Sequence, residues 1–410
     1  MKSKQCEAPT IVAISTPRGI GGIGIVRMSG PASVAIARAL TNEAKFTPRT
    51  ATFVTIDLGS VRDTAIALYF PAPHSFTGED IVELQCHGNP ILLEKIVARA
   101  FESGATMALA GEFTRRAILN GKMNLMDAEA LGALLHAECD AELAAAMTLG
   151  NGELHTKLID IEKKLIEISA RIEAILDHPE EVEGGVGGES FPTNIKSFIK
   201  TLEDFICASR NSHYIFDGIN VAILGRPNAG KSSLFNALLG LDRSIVTDIA
   251  GTTTDVVSET VQIGGYKVRL HDTAGLRDAT NPIEKLGVER TLATANSCDI
   301  AIVFDDDALA LVKSKPHIMV KRDTKPEKIK DQILKLTVGT NAQSRAIANT
   351  RQLGELEAAA SALQSALAAD TPDVLASDVQ TALFHIGNIT GTNAVEAVLD
   401  EIFSRFCLGK

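Results

Sequence analysis

The chain has 410 residues, 45% of them hydrophobic, with a formal net charge of −11 and six cysteines. That length implies two to four domains with ample apolar content for packed cores. No apolar run approaches the roughly 18 residues needed to span a bilayer, and the acidic balance without a dense Lys/Arg cluster argues against a large nucleic-acid-binding face. Cys6, Cys86, Cys139, Cys207, Cys298 and Cys407 form no C-x-x-C pair. They read as reduced thiols of a cytoplasmic protein, without a zinc site or disulfide frame. No charged-apolar-cleavage pattern of a secretory leader opens the sequence.

In chain order, strands are predicted at Ile11–Ser15, Ile23–Met28, Val54–Leu58, Ala65–Phe70 and Ile81–Gln85, with helices at Pro31–Leu40 and Pro90–Phe101. This makes residues 1–118 an α+β module. From Met123 to Asp177 the pattern turns helical. Leu158, Ile161, Leu165, Ile168 and Ile172 recur at spacings of three and four, which places them on one helix face. Residues 180–188 are acidic and glycine-rich and read as a loop. A second apolar stripe, Leu353, Leu356, Ala360, Leu363 and Leu367, appears late in the chain. Two helical halves around an α/β segment suggest an insertion, although two independent bundles would give the same pattern.

The α/β segment carries the chemistry. Gly225-Arg-Pro-Asn-Ala-Gly-Lys-Ser232 fits G-x-x-x-x-G-K-[ST], after the apolar strand Ile219–Leu224 and before the helical run Ser232–Leu239. Glycines let backbone N–H groups turn toward phosphate oxygens, and the helix N-terminus adds positive potential. Asn228, Ala229, Gly230, Lys231, Ser232 and Ser233 are therefore candidate nucleotide contacts. Lys231 reaches the terminal phosphates and Ser232 holds Mg²⁺. Asp272, Thr273, Ala274 and Gly275 follow the alternating run Tyr266–Leu270. An acid there reaches the Mg²⁺ shell, and the glycine amide senses a third phosphate. Between the two motifs, Thr247 to Asp255 is a polar segment of the kind that orders around a γ-phosphate. A chance glycine-rich turn explains one motif but not both.

The run Val246-Thr-Asp-Ile-Ala-Gly-Thr-Thr253, Asn228 and Asp272-Thr-Ala-Gly-Leu-Arg277 resemble the potassium-activated GTPases. Gly21-Gly-Ile-Gly-Ile-Val-Arg27, Thr77-Gly-Glu-Asp80, Glu83-Leu-Gln-Cys-His-Gly88 and Cys407-Leu-Gly-Lys410 narrow the resemblance to the MnmE (TrmE) family of tRNA-modification GTPases. It spans nearly the whole chain and thins between about Asp305 and Asn349. The fold it implies is multidomain α+β and α/β. A folate-binding, dimerising domain occupies 1–118, a helical domain 119–217 and 346–410, and a Ras-like GTPase domain is inserted at 218–345.

The resemblance also implies ligands. Potassium falls to the Asn228 side chain, Thr247, Ile249 and Thr252, within a nucleotide-contacting run that includes Asp248, Ala250 and Gly251. Mg²⁺ falls to Ser232 and Thr253. Leu276 occupies the place of the usual water-orienting glutamine, and Glu284 takes that task. The lesser alternative for Glu284 is a carboxylate facing the dipole at a helix N-terminus. Thr254 stands where the family commonly has arginine. Arg27, Glu83, Lys122 and Lys410 carry over as ligands of a tetrahydrofolate derivative, Glu83 pairing with the pterin N–H and amino group. Without the resemblance, Arg27 and Glu83 read as an ion pair. Cys407 is a candidate reactive thiol or a packed tail cysteine. Asp323, in Val320-Lys-Arg-Asp323, reads guanine, while Val320 replaces the asparagine common at that place.

The implied activity is GTP hydrolysis in a homodimer that associates with the flavoprotein MnmG (GidA), as a heterotetramer. Together they add a 5-carboxymethylaminomethyl-type group to the wobble uridine of certain tRNAs, and the partner supplies much of the tRNA surface. The rivals are a ribosome-assembly GTPase of the Era or Der kind and a nucleotide-binding scaffold with little turnover. Two motifs mislead. Gly19-Ile-Gly-Gly-Ile-Gly24 fits a dinucleotide fingerprint, but a strand rather than a helix follows it. Cys407 is fourth from the end, but Gly409 and Lys410 do not suit prenylation.

Overall fold

The structure is a computed structural model that describes residues 8–41, 43, 45–150, 152–177, 190–241, 257–272, 291–321, 324–339, 348–393, 403 and 409. The chain divides into two compact units, Met1–Gly132 with Thr390–Lys410, and Ala133–Ile389.

The first unit is built on strands β1 (Ile11–Ile14), β2 (Gly21–Ser29), β3 (Thr52–Asp57), β4 (Arg62–Phe70), β5 (Ile81–Gly88) and β6 (Thr106–Met107). They form one sheet in the order β3-β4-β5-β2-β1-β6, antiparallel except for the β1–β6 pair. Alternation along β2 buries Gly24, Val26 and Met28 and turns Ile25 and Arg27 to the other face. Helices Ser33–Thr41 and Pro90–Glu102 cover the buried side with Ile36, Leu40, Leu93, Ile96 and Val97. The second of these starts where Asn89 accepts from the Ile91 and Leu92 amides and Pro90 fixes the first turn. On the opposite face, Phe53 of β3 lies across from Ile66 of β4, and both are exposed.

β2 begins at Gly21, inside the dinucleotide-like fingerprint, so no helix follows its last glycine. That pattern is therefore no pyrophosphate site. Helix Glu112–Leu119 and the two-residue β6 have no counterpart among the predicted elements.

In the second unit, β7 (Ile219–Leu224), β8 (Val257–Ile263), β9 (Tyr266–Asp272), β10 (Ile300–Val303) and β11 (His317–Met319) form a sheet ordered β11-β10-β7-β9-β8. Only the β8–β9 hairpin is antiparallel. Helices Lys231–Leu241 and Pro326–Thr337 bury Leu234, Leu238, Ile329 and Ile333 on one face. On the other face, Ala295 and Ala308 pack with Leu224 and Val303. β7 is buried on both faces, which explains its continuous apolar run.

The predicted stripe Leu158–Ile172 is the buried face of helix Glu153–Asp177. Helix Ser190–Ser209 meets helix Thr350–Leu367, where Gln364 donates to Glu203 at 3.1 Å. Helix Pro372–Thr390 meets the first through Gln380 and Glu173 at 3.2 Å. Helix Asp140–Leu149 instead packs Ala145 into the core of the five-stranded sheet. The predicted acidic loop 180–188 lies outside the described residues.

Candidate functional site

Between β7 and helix Lys231–Leu241 the backbone turns through Asn228, whose φ is +63°. Asparagine tolerates this left-handed conformation better than most residues. Lys231 is buried, and its Nζ donates to the carbonyls of Gly225 and Arg226, both at 3.0 Å. Burial pushes its pKa down, against the opposing pull of Asp272 and Asp305. The ammonium is held on loop carbonyls, from which a phosphate oxygen can draw it.

At the end of β9, Asp272 accepts from Ser232 Oγ at 3.1 Å through Oδ2. Its Oδ1 is buried and has no hydrogen-bond partner among the described residues. A buried carboxylate oxygen beside a hydroxyl is a hard-donor arrangement that suits Mg²⁺, which takes oxygen ligands and keeps several waters. The residues present therefore fit the ion that the motifs imply.

Sequence reasoning missed the brace beneath the loop. Asp305 accepts from the Arg226 amide at 2.7 Å and caps helix Asp306–Leu311 through the Ala308 amide at 2.9 Å. Asp307 accepts from Arg226 Nε at 2.9 Å. The signal was available as three consecutive acids, Asp305 to Asp307, directly after an apolar strand.

Ala229, Gly230 and Ser233 lie where the motif puts them, around the helix start. Val320 packs against the sheet core, and its N–H donates to Val303 at 2.9 Å. Thr247, Asp248, Ile249, Ala250, Gly251, Thr252, Thr253, Thr254, Thr273, Ala274, Gly275, Leu276, Glu284, Asp323, Cys407 and Lys410 lie outside the described residues.

A second cluster stands in the first unit. Arg27 and Glu83 are cross-strand partners on β2 and β5, joined at 2.8 Å and largely buried. The Arg27 guanidinium lies 5.9 Å from the Phe76 ring centroid and 5.6 Å from that of Phe113, within cation–π range. Arg27 Nη1 also donates to the Gly409 carbonyl at 3.3 Å, as does Ser15 Oγ at 3.2 Å. A Cβ on Gly409 would lie 2.4 Å from Ser15 Cα, so only glycine allows this approach. The structure thus joins Arg27, Glu83 and the end of the chain.

Lys122 is exposed beside Gly78, in the loop that carries Phe76. A buried network holds that loop. Ser29 Oγ bonds Thr77 Oγ1 at 2.7 Å and Glu79 at 2.6 Å, and Arg116 grips both Glu79 oxygens at 3.1 Å.

The strand–loop–helix turn, with its buried lysine and the serine–aspartate pair at the neighbouring strand end, defines a P-loop nucleotide hydrolase. The GTP-binding protein TrmE N-terminus family model matches residues 10–122, and the MnmE helical domain model matches residues 125–407. Among curated proteins, the tRNA modification GTPase MnmE of Psychrobacter sp. is 33% identical, over 98% of this chain and 99% of that one. Those of Francisella philomiragia (34%) and Nitratiruptor sp. (36%) each align over 98% of this chain and 99% and 98% of their own. The chain belongs to the MnmE family of tRNA modification GTPases, and it is a GTP hydrolase. Among solved structures, Aquifex aeolicus Era bound to GDP.AlF4- is similar over 28% of this chain and 44% of that one, at 29% identity and a TM-score of 0.21.

Proposed function

We propose that the chain is a potassium-dependent GTPase that, with a flavoprotein of the MnmG (GidA) kind, adds a 5-carboxymethylaminomethyl-type group to the wobble uridine of certain tRNAs. The one-carbon unit comes from a tetrahydrofolate derivative. The observation that carries this reading is the union in one chain of the Lys231–Ser232–Asp272 site with the Arg27–Glu83–Gly409 cluster.

In hydrolysis the chain's residues position and neutralise charge. Lys231 leaves the loop carbonyls for the phosphates, and Ser232 and Asp272 hold the Mg²⁺ side. The Asn228 side chain, with Thr247, Ile249 and Thr252, forms the potassium site, and Thr253 adds a second hydroxyl to Mg²⁺. Glu284 orients water. When bound, potassium would supply positive charge against the charge that develops on the phosphates, as an arginine finger does in other GTPases. Asp323 reads guanine.

In the first unit, Glu83 accepts the paired donors of a pterin, with Arg27, Lys122 and Lys410 as further ligands, and Cys407 is the candidate reactive thiol. The largely buried Arg27–Glu83 pair, flanked by Phe76 and Phe113, supports this reading. So does the contact with Gly409, which puts the end of the chain at that pair. The exposed sheet face with Phe53 and Ile66 supports a homodimer through this unit. The GTPase domain, residues 218–345, is an insertion in the helical domain. The protein works in the cytoplasm, and no described helix is long and apolar enough to cross a membrane.

The test has two parts. GTP hydrolysis is measured in potassium and in sodium, and wobble nucleosides are analysed by mass spectrometry in cells with and without the gene. Unchanged nucleosides would remove the tRNA assignment. The absence of turnover in either salt would leave a nucleotide-binding scaffold.

A further inference from the structure

We propose that Lys267 is a positioning residue that ties the state of the nucleotide site to helix Asp140–Leu149. The proposal deepens the GTPase reading above, since it concerns what hydrolysis moves.

Lys267 stands at one end of β9 and Asp272 at the other. The strand between them is central, paired with β7 on one side and β8 on the other. About 17 Å of hydrogen-bonded strand therefore runs from the Mg²⁺-side carboxylate to this lysine.

The lysine does not face water. Its side chain is 12% exposed, and Nζ meets Glu142 Oε1 at 2.8 Å and Glu138 Oε2 at 3.2 Å. Glu142 itself is 6% exposed, one of the few buried acids among the described residues. Its other oxygen accepts from the Glu138 amide, closing the arrangement. A third bond runs through backbone, from the Ala141 N–H to the Gly265 carbonyl at 3.0 Å. Gly265 lies in the β8–β9 turn, where Gly264 and Gly265 both have positive φ. The hairpin and the start of the helix are thus fastened by two side-chain ion pairs and one backbone bond.

A hydrophobic surface alone would hold the helix. Ala145 already packs into the sheet core, and a buried ion pair is often no more stabilising than apolar residues of equal volume. What the ion pairs add is a fixed register between strand and helix. The place of the clamp gives that register a use. Glu138 and Glu142 come just after Gly132, where the chain leaves the first unit for the second. A shift of β9 when Asp272 gains or loses Mg²⁺ would pass through Lys267 to Glu138 and helix Asp140–Leu149.

The experiment is hydrogen exchange on the full chain, with Mg²⁺ and either GDP or a non-hydrolysable GTP analogue. It reads the amides of residues 140–143, Ala141 above all. In the wild type, protection of the Ala141 amide should differ between the two states by roughly fivefold or more. In Lys267→Met and Glu142→Gln the difference should fall below about twofold, and Lys267→Arg should restore part of it. In the same variants GTP hydrolysis should stay within about threefold, because neither residue touches the nucleotide site. Cellular wobble modification should drop at least about tenfold.

A purely structural role would lower the melting temperature equally in both states and leave the nucleotide-dependent difference intact, which overturns the proposal. If a variant does not fold, the wild-type measurement decides alone: equal Ala141 protection in the two states sinks the clamp. The exchange readout does not involve tRNA, so failure of the tRNA assignment would show only in the modification arm.

Discussion

Ser232 and Asp272, 40 positions apart, share a 3.1 Å hydrogen bond, while the other Asp272 oxygen is buried and has no partner among the described residues. The pair sets a hydroxyl beside a carboxylate, the hard oxygen donors that a divalent ion takes. Asp272→Asn should therefore weaken Mg²⁺-dependent binding of GTP by roughly ten- to a hundredfold, the scale of a hydrogen bond to a charged group. The fold should be retained. Titration of a fluorescent GTP analogue with and without Mg²⁺ checks this. An unchanged Mg²⁺ dependence would detach Asp272 from the ion.

Asn228, in its left-handed turn, is the described member of the proposed potassium site. Hydrolysis should rise roughly tenfold or more when potassium replaces sodium, and Asn228→Ala should remove most of the gain. Equal steady-state rates in the two salts would refute the site.

Gly409 touches Arg27 and Ser15 with no room for a Cβ. Gly409→Val, or deletion of residues 407–410, should abolish tRNA modification in cells. GTP hydrolysis should stay within about threefold, since distant sites act independently. A collapse of hydrolysis would make the tail a structural element of the whole protein.

Val320 packs into the sheet core and offers no hydrogen bond from its side chain. With Asp323 as the proposed reader of the base, GTP should still be preferred over ATP, because a carboxylate there would pair with guanine's N–H and amino group and repel adenine's acceptor. Affinity should be weaker than an asparagine would give by roughly two- to tenfold, the worth of one neutral hydrogen bond. Val320→Asn should tighten binding. A competition titration in which ATP displaces GTP equally well would exclude Asp323 as the reader.

Cys86 is buried, and that burial pushes its thiol pKa up to about 11. A raised thiol pKa keeps the neutral form through pH 8, where only about a thousandth is thiolate. Cys139 and Cys298 are buried and shifted in the same direction, whereas Cys207 is exposed. Alkylation of the folded protein at pH 8, read by peptide mass spectrometry, should label Cys207 well before those three. Prompt labelling of Cys86 would mean that β5 opens easily.

Local pattern made some elements readable and left others dark. Ile219–Leu224 was legible to the residue, because a strand buried on both faces is a continuous apolar run ended by a glycine. β2 begins two residues earlier than its pattern suggested, since Gly21 and Gly22 look like turn residues yet Gly21 pairs with Gly88. β6 has two residues and exists only through its pairing with β1, so no periodicity could announce it. Arg27 and Glu83 were visible as residues, but their partnership depends on the register of β2 against β5. The seat of Gly409 on Arg27 spans 382 positions and has no local signature at all. Motif spacing put Lys231 and Asp272 in one site, but not Asp305, whose role comes from the sheet order that sets β10 beside β7.

Helix Asp140–Leu149 contributes Ala145 to the sheet core, and Lys267 finds its counter-charges in Glu142 and Glu138. A fragment cut at Gly218, where sequence motifs alone would start the GTPase, would bare that apolar seat and leave Lys267 without its counter-charges. The nucleotide-binding part is therefore not a cassette that could be moved between proteins at its motif borders. It would have to travel with a helix encoded some eighty residues upstream, so recombination that separates the two would break both.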